Sequence, residues 1–378
     1  MSLSSSSSGS GPANENANAS VILFTGFPGF LGRELLPRVL GREPELSALC
    51  VVQQKFMVQA RAAVAELSAA APALTGRIEL AIGDITLQGL GLPAGTAARV
   101  RDVYHLAAIY DLAVPSALAD KVNVGGTRNV LDFAERCPGL RRVHYVSTCY
   151  VSGRYTGIFS ETDLEKGQRF NNHYESTKHL AEVVVRQRMA AGLPATIYRP
   201  AVVVGDSRTG ATQKLDGPYY LIKWLLRQGR VALLPFIGDP SRFRFNMVPC
   251  DFVVDAITYL SGLPESLGQT YALADPDPPT CEEVLDLMAA AVDKRVLRVP
   301  LSPRLARAAI RRVPGVHRLL QLPAELVDYM EHPTHYDSRA THAALAAAGI
   351  HPGRFADHVK VMVAFTRAHM QVSSAAMA

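Results

Sequence analysis

The most constraining feature of the sequence is a glycine-rich turn between an apolar strand and an amphipathic helix. The apolar run Val21–Phe24 predicts a strand that is buried on both faces. Gly26, Gly29 and Gly32 follow closely, and apolar residues then recur at helical spacing as far as Leu40. A strand, a glycine turn and a helix in this order predict a β–α unit that binds a dinucleotide.

Each glycine of the turn has a physical task in such a unit. Gly26 permits the tight turn, Gly29 lets the backbone approach a pyrophosphate, and Gly32 lets the helix and the strand pack closely. The phosphates then lie at the positive end of the helix. The spacing alone also fits a plain βα turn, so other residues must support the assignment. The segment predicted to hold the cofactor is Gly26, Phe27, Pro28, Gly29, Phe30, Leu31, Gly32 and Arg33.

The end of the second predicted strand, Leu49–Val52, favours NADP(H) over NAD(H). An NAD-binding chain usually places Asp or Glu there to hold the ribose 2′-hydroxyl. This sequence has Gln53 instead, so no carboxylate repels a 2′-phosphate, and Lys55 and Arg33 lie near enough in the sequence to attract one. Both cations also fit ordinary surface positions. We therefore predict NADP(H), with NAD(H) as the alternative.

Further predicted strands bring small or polar residues to one edge of a sheet. The strand at residues 78–82 is followed by Asp84, whose carboxylate can accept a hydrogen bond from an adenine amine. The strand at 103–108 carries alanines small enough to pass under a cofactor, and the strand at 143–146 is followed by Thr148. Ligands bind at the carboxyl ends of strands in an open α/β sheet. The pattern predicts a Rossmann-type, doubly wound parallel sheet with a smaller, mostly helical C-terminal substrate region.

Tyr174 and Lys178 lie one helical turn apart and predict an acid–base pair on one face of a helix. A free phenol titrates near 10, and a neighbouring ammonium is expected to lower that pKa towards neutral pH. The hydroxyl of Thr148 is then placed to hold a substrate oxygen beside Tyr174. A Tyr–Lys pair at this spacing is often structural, but its combination with the glycine turn and the strand-end Thr148 predicts catalysis.

Composition and charge narrow the class of protein. A net charge of +5 over 378 residues is too small to imply nucleic acid, and no apolar run approaches the roughly 20 residues of a membrane span. The five cysteines are scattered without a C-x-x-C pair, which argues against a disulfide framework or zinc and for a reducing compartment. The histidines show no H-E-x-x-H spacing, so we predict no metal.

We predict three segments along the chain. Residues 1–20 are rich in Ser, Gly, Asn and Ala, which predicts a disordered tail, and they lack the pattern of a secretory signal, which predicts a cytoplasmic protein. A dinucleotide-binding domain follows over residues 21–205. A substrate-binding region is predicted over 206–378, in which 248–262 returns to the first core and a helix from Phe355 to Met370 ends the fold.

Two stretches of the substrate region allow two interpretations each. Lys214–Arg230 is rich in aromatic and aliphatic residues, which suits a helix over an apolar substrate and suits equally the core of a small domain. The basic segment 294–320 suits contact with an anionic membrane, a coenzyme A phosphate or an acidic carrier protein, and it suits equally a solvated helical face. Its basic residues are Lys294, Arg295, Arg298, Arg304, Arg307, Arg311, Arg312 and Arg318.

Taken together, these motifs resemble the extended short-chain dehydrogenase/reductase superfamily over roughly residues 21–365. The T-G-x-x-G-x-x-G spacing of residues 25–32 matches the extended branch rather than the compact, single-domain branch. The resemblance implies that Thr148, Tyr174 and Lys178 form a catalytic triad. It further implies cofactor contacts from Asp84, Ile85, Leu106, Ala107, Ala108, Asn123, Tyr174, Lys178, Pro200 and Val203.

Within that superfamily the chain looks most like the acyl-thioester reductases. These include the fatty acyl-coenzyme A reductases of the male-sterility type and the terminal reductase domains of peptide synthetases and carboxylic acid reductases. The supporting stretches are Thr25–Leu36, Gly83–Leu92, Tyr145–Gly153, Tyr174–Glu182 and Val204–Gly210. The thioester-reductase pattern usually has Arg where Gln53 stands, so NADPH preference depends on weaker cations here.

The resemblance implies hydride addition to an acyl thioester, which gives an aldehyde that a second hydride could reduce to an alcohol. No adenylation or carrier domain precedes the glycine turn, so an acyl group on coenzyme A or a carrier protein is expected to arrive in trans. A carbonyl reductase, a hydroxysteroid-type dehydrogenase and a nucleotide-sugar epimerase of the same superfamily are the alternatives. A non-catalytic NADP sensor or scaffold is the remote alternative, since such a protein has no need of Tyr174 and Lys178.

Cys149 is a weak candidate for a covalent acyl intermediate, because nothing near it in the sequence activates the thiol.

Overall fold

A computed structural model describes residues 20–110, 114–237, 239–301 and 331–372. Its strands are β1 (Val21–Thr25), β2 (Ser47–Val52), β3 (Ile78–Ile82), β4 (Val100–His105), β5 (Arg142–Val146), β6 (Gly157–Phe159), β7 (Ala195–Pro200), β8 (Val202–Val204), β9 (Val231–Ile237), β10 (Met247–Pro249), β11 (Thr270–Leu273), β12 (Arg295–Leu301) and β13 (Thr334–Tyr336). Its α-helices are α1 (Phe30–Arg42), α2 (Met57–Ala70), α3 (Thr96–Arg99), α4 (Ser116–Ala119), α5 (Gly126–Ala134), α6 (His173–Ala190), α7 (Pro218–Arg227), α8 (Cys250–Gly262), α9 (Cys281–Ala291), α10 (Arg339–Ala346) and α11 (Phe355–Ala368).

Seven strands form one parallel sheet in the order β11-β7-β5-β4-β1-β2-β3. The chain proceeds outward from β1 in one direction through β2 and β3, and then in the other direction through β4, β5 and β7. The point where the order reverses, beside β1, is where such sheets bind ligands. The predicted doubly wound Rossmann sheet is confirmed.

Helices pack against both faces of this sheet at its central strand, β1. All five residues of β1 are buried. Val21 and Leu23 pack into a core with side chains of α5 and α6, whereas Ile22 and Phe24 pack into a core with side chains of α1, α2 and α8. The alternation follows from the two-residue period of a strand, and the double coverage is typical of parallel sheets.

A second apolar core lies in the substrate region and joins α7, β9, α9 and α11. Tyr219 and Ile222 of α7 pack there with Leu234, Leu285 and Met362. These residues of α7 therefore form the core of a small domain. The neighbouring Tyr220 is partly buried; it packs against this core and also lines the cavity described below. The structure thus shows the core packing of this stretch, whereas its contact with an apolar substrate stays a prediction.

The C-terminal part of the chain also contributes to the main sheet. Helix α8 lies against α1 and shares its core, with Val253 and Ile257 fully buried there. Strand β11 pairs with β7 and forms one edge of the seven-stranded sheet. The substrate region is therefore attached to the dinucleotide-binding domain through shared packing.

The basic segment 294–320 lies within the described residues only as far as Leu301. Lys294 donates hydrogen bonds to the last carbonyl groups of α7 and the residue after it, and Arg298 pairs with Glu282 of α9. These two cations therefore have partners within the protein. The remaining basic residues, from Arg304 onward, fall outside the described part of the chain.

Three further findings concern the described part of the chain. None of its helices is both long and apolar enough to cross a membrane. It contains no group of three or more His, Cys, Asp or Glu side chains arranged to hold a metal ion. All five cysteines are buried, free thiols.

Candidate active site

A cavity of about 630 Å³ opens at the carboxyl edge of the main sheet. Its wall comes from the segments that follow β1, β2, β3, β4, β5 and β7, with α6 and residues 212–220 of the substrate region. The strand-end segments thus converge as the sheet topology requires. The residues predicted from the sequence that lie in the wall are Gly26, Phe27, Pro28, Gly29, Phe30, Leu31, Gly32, Lys55, Asp84, Ile85, Leu106, Ala107, Ala108, Thr148, Tyr174, Lys178, Pro200 and Val203.

The glycine turn packs so closely that side chains are excluded at two of its positions. Gly26 has a φ of +93°, and a Cβ there would lie 2.9 Å from the backbone of Leu106 and Ala107. A Cβ at Gly32 would lie 2.5 Å from the carbonyl oxygen of Gly26. Helix α1 therefore begins directly behind the turn, at Phe30, with its positive end at the cavity wall.

Two predicted cofactor residues, Arg33 and Asn123, lie outside the cavity wall. The guanidinium of Arg33 forms an ion pair with Glu66 of α2, which accounts for its orientation. Asn123 is buried in a π-helical turn before α5, where its side chain accepts a hydrogen bond from the amide of Ile109 at 2.9 Å and donates to the hydroxyl of Thr177 at 3.0 Å. Asn123 therefore connects the loop after β4 to α6.

The ends of β2 and β3 are joined by a side-chain hydrogen bond at the cavity wall. Gln53 donates to a carboxylate oxygen of Asp84 at 2.9 Å, and the other oxygen of Asp84 accepts from the amide of Thr86 at 2.8 Å. The ammonium of Lys55 lies 4.9 Å from the centre of the Phe56 ring and belongs to the cavity wall. Of the two cations predicted for a 2′-phosphate, Lys55 is thus the one placed at the cavity.

Thr148 and Tyr174 are joined by a hydrogen bond between their hydroxyl groups. Thr148 follows β5, accepts from the amide of Tyr150 at 3.2 Å and lies 3.4 Å from the carbonyl oxygen of Pro200. Tyr174 lies in the first turn of α6, which begins after Asn172 caps the amide of Glu175. The structure thus brings together a strand end and a helix start that are separated in the sequence.

Lys178 completes the group, one turn further along α6. Its ammonium donates to the carbonyl oxygen of Val146 at 2.8 Å and lies 4.6 Å from the centre of the Tyr145 ring. Burial lowers the pKa of Lys178 to about 7, although the carboxylate of Glu182 opposes the shift. Lys178 is therefore poised to gain or lose its proton near neutral pH.

Burial raises the pKa of Tyr174, and the hydrogen bond from Thr148 only partly opposes that shift. This direction differs from the expectation that Lys178 lowers the pKa of the phenol. The physical reason is that both groups are almost fully buried, and burial disfavours the charged form of each. Tyr174 consequently holds its proton at neutral pH, as a proton donor must.

His105, at the end of β4, was not identified from the sequence as part of the site. Its ring nitrogens lie 2.8 Å from the hydroxyl of Thr25 and 3.0 Å from that of Thr127, so it connects β1 to α5 beneath the cavity. Burial and the charge of Lys178 lower its pKa to about 3, so the ring is neutral. The signal that marks it is a histidine at the carboxyl end of a parallel strand, the edge of the sheet where ligands bind.

The end of the cavity formed with residues 212–220 is aromatic and carries an ion pair. Tyr110, Tyr150 and Tyr220 line it, with Lys214 and Asp216 between them. The ammonium of Lys214 lies 2.5 Å from a carboxylate oxygen of Asp216 and 4.7 Å from the centre of the Tyr110 ring. These residues come from distant parts of the chain, and only the aromatic content of 214–230 pointed to them.

Cys149, beside Thr148, is not placed to act as a nucleophile. Its sulfur lies 3.0 Å from the carbonyl oxygen of Arg199, and burial raises the pKa of the thiol. A thiol with a raised pKa forms little of the reactive thiolate at neutral pH. The structure therefore does not favour the prediction of a covalent acyl intermediate on Cys149.

Sequence comparison identifies relatives of this chain. Residues 24–257 match the family described as male sterility protein. A linear gramicidin synthase protein of Brevibacillus parabrevis is 30% identical over 285 residues, which cover 72% of this chain and 5% of that protein. Fatty acyl-CoA reductase wat of Drosophila melanogaster is 26% identical over 275 residues, which cover 62% of this chain and 53% of that protein. The chain thus corresponds to only part of each relative.

The fold also has a similar solved structure. The terminal R domain from the myxalamid PKS-NRPS biosynthetic pathway superposes with a TM-score of 0.78 and 28% sequence identity. The superposition covers 96% of this chain and 94% of that domain. The likeness therefore extends to the substrate region beyond residue 257, where the family match ends.

Proposed function

The chain belongs to the male sterility protein family of extended short-chain dehydrogenase/reductases, and from this premise we propose that it is an NADPH-dependent reductase of acyl thioesters. Its class is that of an NAD(P)-dependent oxidoreductase. The substrate proposed is an acyl group on coenzyme A or on a carrier protein, and the first product is an aldehyde. A second round of reduction converts the aldehyde to an alcohol.

One observation carries this proposal: the hydrogen-bonded Thr148–Tyr174 pair lies in the same cavity as the glycine turn. The cavity also continues to residues 212–220, which leaves an aromatic surface beyond the pair for an acyl group. A nicotinamide held from the glycine turn and a carbonyl held by the two hydroxyl groups would therefore meet in one enclosed space. Proximity of this kind supplies much of the rate enhancement in bimolecular reactions.

The triad has a defined role for each side chain in such a reduction. Bound NADPH supplies a hydride to the thioester carbonyl carbon. Thr148 and Tyr174 donate hydrogen bonds to the carbonyl oxygen as its negative charge develops, and Tyr174 then gives it a proton. The resulting hemithioacetal releases its thiol and leaves the aldehyde. Protonated Lys178 stabilises the phenolate that remains on Tyr174 until a proton returns.

The preference for NADPH is supported by the end of β2. Gln53 and Lys55 line the cavity there, and no carboxylate comes from β2 itself. The ammonium of Lys55 favours a 2′-phosphate through its charge. The amide of Gln53 stands where a carboxylate usually binds a free 2′-hydroxyl. NADH is the alternative that the experiment below includes.

The test measures oxidation of NADPH and of NADH with a panel of acyl-CoA thioesters, fatty aldehydes and ketones. We expect thiol release that is stoichiometric with NADPH oxidation in the first reduction. Tyr174→Phe should lower the rate by at least about 100-fold, because a positioned proton donor contributes that much or more. Tyr271→Phe is the matched control, since Tyr271 is similarly buried in β11 but does not line the cavity.

Three outcomes would contradict parts of the proposal. Oxidation with aldehydes or ketones but never with thioesters would make the chain a carbonyl reductase. Faster turnover with NADH would contradict the cofactor assignment. Full activity in Tyr174→Phe would remove Tyr174 from the chemistry.

A further inference from the structure

A completely buried ion pair lies behind the catalytic strand end. Glu182 of α6 has no exposed surface, and Arg199 of β7 is 2% exposed. Arg199 donates to both carboxylate oxygens of Glu182, at 2.6 Å in the shortest contact, and Arg186 donates to one of them at 3.1 Å. Buried ion pairs contribute little net stability relative to apolar side chains of equal size. We therefore infer the role of the Glu182–Arg199 pair from its contacts with other residues rather than from stability.

The first of these contacts leads to Thr148. Ser147, which directly precedes it, donates from its hydroxyl to Glu182 at 2.6 Å. On the other side of Thr148, the sulfur of Cys149 lies 3.0 Å from the carbonyl oxygen of Arg199. Both chain neighbours of the catalytic threonine are thus held by the two members of the ion pair.

The second contact is electrostatic and leads to Lys178. Glu182 lies one helical turn after Lys178 on α6, and its negative charge favours the ammonium against the effect of burial. The other titratable groups that face this ammonium are Tyr174 on α6, Tyr145 on β5 and His105 on β4. These three are neutral at neutral pH. Among the described residues packed around Lys178, Glu182 is therefore the one that supplies a compensating charge.

The third contact extends away from the cavity. Arg199 and Arg186 donate to carbonyl groups of the loop at residues 160–163. Glu161 of that loop accepts hydrogen bonds from the amide and hydroxyl of Thr341, in α10. The buried ion pair is thereby connected through hydrogen bonds to the C-terminal part of the chain.

We propose that Glu182 is a positioning residue that orients Ser147, and through it Thr148, while keeping Lys178 in its ammonium form. Arg199 holds the carboxylate in the orientation that both tasks need. This inference rests on the proposed function for the roles of Thr148 and Lys178. It adds Glu182 and Arg199, which lie behind the cavity wall, and Ser147, a residue of the wall whose hydroxyl donates to Glu182.

The charge component is tested with Glu182→Gln. Removing the anion withdraws the effect that favours the ammonium, so the pKa of Lys178 should fall further below about 7. Because the reaction needs the ammonium, activity should be lost at lower pH than in the wild type. We expect the alkaline limb of the kcat profile to move down by about one pH unit. An unchanged midpoint would overturn this part of the proposal.

Glu182→Asp serves as the conservative variant and guards against a folding defect in Glu182→Gln. It keeps the charge beside Lys178 and shortens the reach to Ser147. We expect a pH midpoint close to that of the wild type together with a reduced kcat. If the pH midpoint of Glu182→Asp moved as far as that of Glu182→Gln, loss of the negative charge would not be the cause of the shift.

The orientation component is tested with Ser147→Ala, which leaves the ion pair in place. We expect kcat to fall by on the order of tenfold, since small displacements of a catalytic group are costly, with an unchanged pH midpoint. Ser266→Ala is the matched control, because Ser266 is also fully buried and donates hydrogen bonds to carbonyl groups far from the cavity. Wild-type kcat in Ser147→Ala, or an equal loss in both variants, would contradict the proposal.

The failure of this inference can be told apart from the failure of the proposed function. If the wild type reduces aldehydes but no thioester, the proposed function fails and the same profiles are measured with an aldehyde. The protonation of Lys178 is also followed without any substrate, by NMR titration of protein labelled with 13C at the lysine ε-carbon. The resonance missing in Lys178→Arg assigns the signal, and its midpoint must fall in Glu182→Gln.

Discussion

The two ends of the cavity are built in different ways. The end of the cavity proposed for the cofactor is built around one continuous β–turn–α unit, in which Gly26 and Gly32 leave no room for a Cβ. The end proposed for the substrate is assembled from separate loops that bring Tyr110, Tyr150 and Lys214 together. One end presents mainly backbone, and the other presents side chains with a partly buried ion pair.

This difference indicates which end of the cavity determines substrate specificity. A backbone cradle recognises a feature common to all dinucleotides, the pyrophosphate, and its geometry tolerates no added atoms. A wall of side chains can change one residue at a time without disturbing the fold. We therefore expect substitutions at the cofactor end to remove function and those at the substrate end to alter it.

The largest expected effect is at the cofactor end, in Gly32→Ala. The added methyl group would lie 2.5 Å from the carbonyl oxygen of Gly26, so the turn must move. Overpacking of this kind costs up to about 3 kcal/mol, which equals roughly 100-fold in affinity. We expect NADPH binding, followed by its fluorescence, to weaken by about that factor.

Gly41→Ala is the control in the same helix, because a Cβ at Gly41 meets no atom within 4 Å. Alanine is the better helix former, so thermal unfolding should show a stabilisation of up to about 1 kcal/mol, with unchanged NADPH affinity. Equal NADPH affinity in Gly32→Ala and Gly41→Ala would contradict the view that the cofactor end is rigid.

A smaller effect is expected at the substrate end, in Lys214→Met. The change removes the partner of Asp216 and the cation that lies over the Tyr110 ring. Burial already raises the pKa of Asp216, and without Lys214 its carboxyl group should be protonated at still higher pH. We expect KM for the acyl substrate to change by about tenfold while NADPH affinity stays constant.

Arg208→Met provides the comparison for Lys214→Met, since Arg208 lies shortly before Lys214 in the chain but is 78% exposed and lies outside the cavity wall. Its kinetic constants should match those of the wild type. Should Lys214→Met alter NADPH affinity as strongly as KM for the substrate, the two ends would not be separable.

The smallest effect is expected for the two cations near the end of β2. Lys55→Ala should reduce the preference for NADPH over NADH by about fivefold. This factor corresponds to the binding free energy of one partly exposed contact between opposite charges. Arg33→Ala should change it by less than about twofold, because Arg33 pairs with Glu66 outside the cavity wall. The preference is measured from kcat/KM with each cofactor. A larger effect of Arg33→Ala than of Lys55→Ala would make Arg33, rather than Lys55, the cation that contacts the 2′-phosphate.

The features that local sequence determines could be predicted well. The strand at residues 78–82 was predicted with the bounds that β3 has, and the helix predicted from Phe355 ends two residues earlier than expected, at Ala368. The glycine turn and the Thr148, Tyr174 and Lys178 group all line the cavity. Each of these follows from spacing along one or two elements, which the sequence displays directly.

The features that depend on contacts between distant segments could not be predicted. The pairing of Arg33 with Glu66 and the role of Asn123 behind the wall both depend on how helices pack. The buried Glu182–Arg199 pair joins α6 to β7, and nothing in either segment alone marks it. The sequence led us to expect a lowered pKa for Tyr174. Burial raises that pKa instead, and burial is a property of the assembled fold.

The burial of the cysteines has a practical consequence. Burial raises the pKa of each thiol, to about 11 for Cys137 and to about 12 for Cys281. Such groups react slowly with reagents that need an exposed thiolate. A colorimetric thiol reagent can therefore be present during turnover with low background from the folded enzyme, and free coenzyme A can be followed continuously. One cysteine introduced on the surface would likewise accept a fluorescent label selectively.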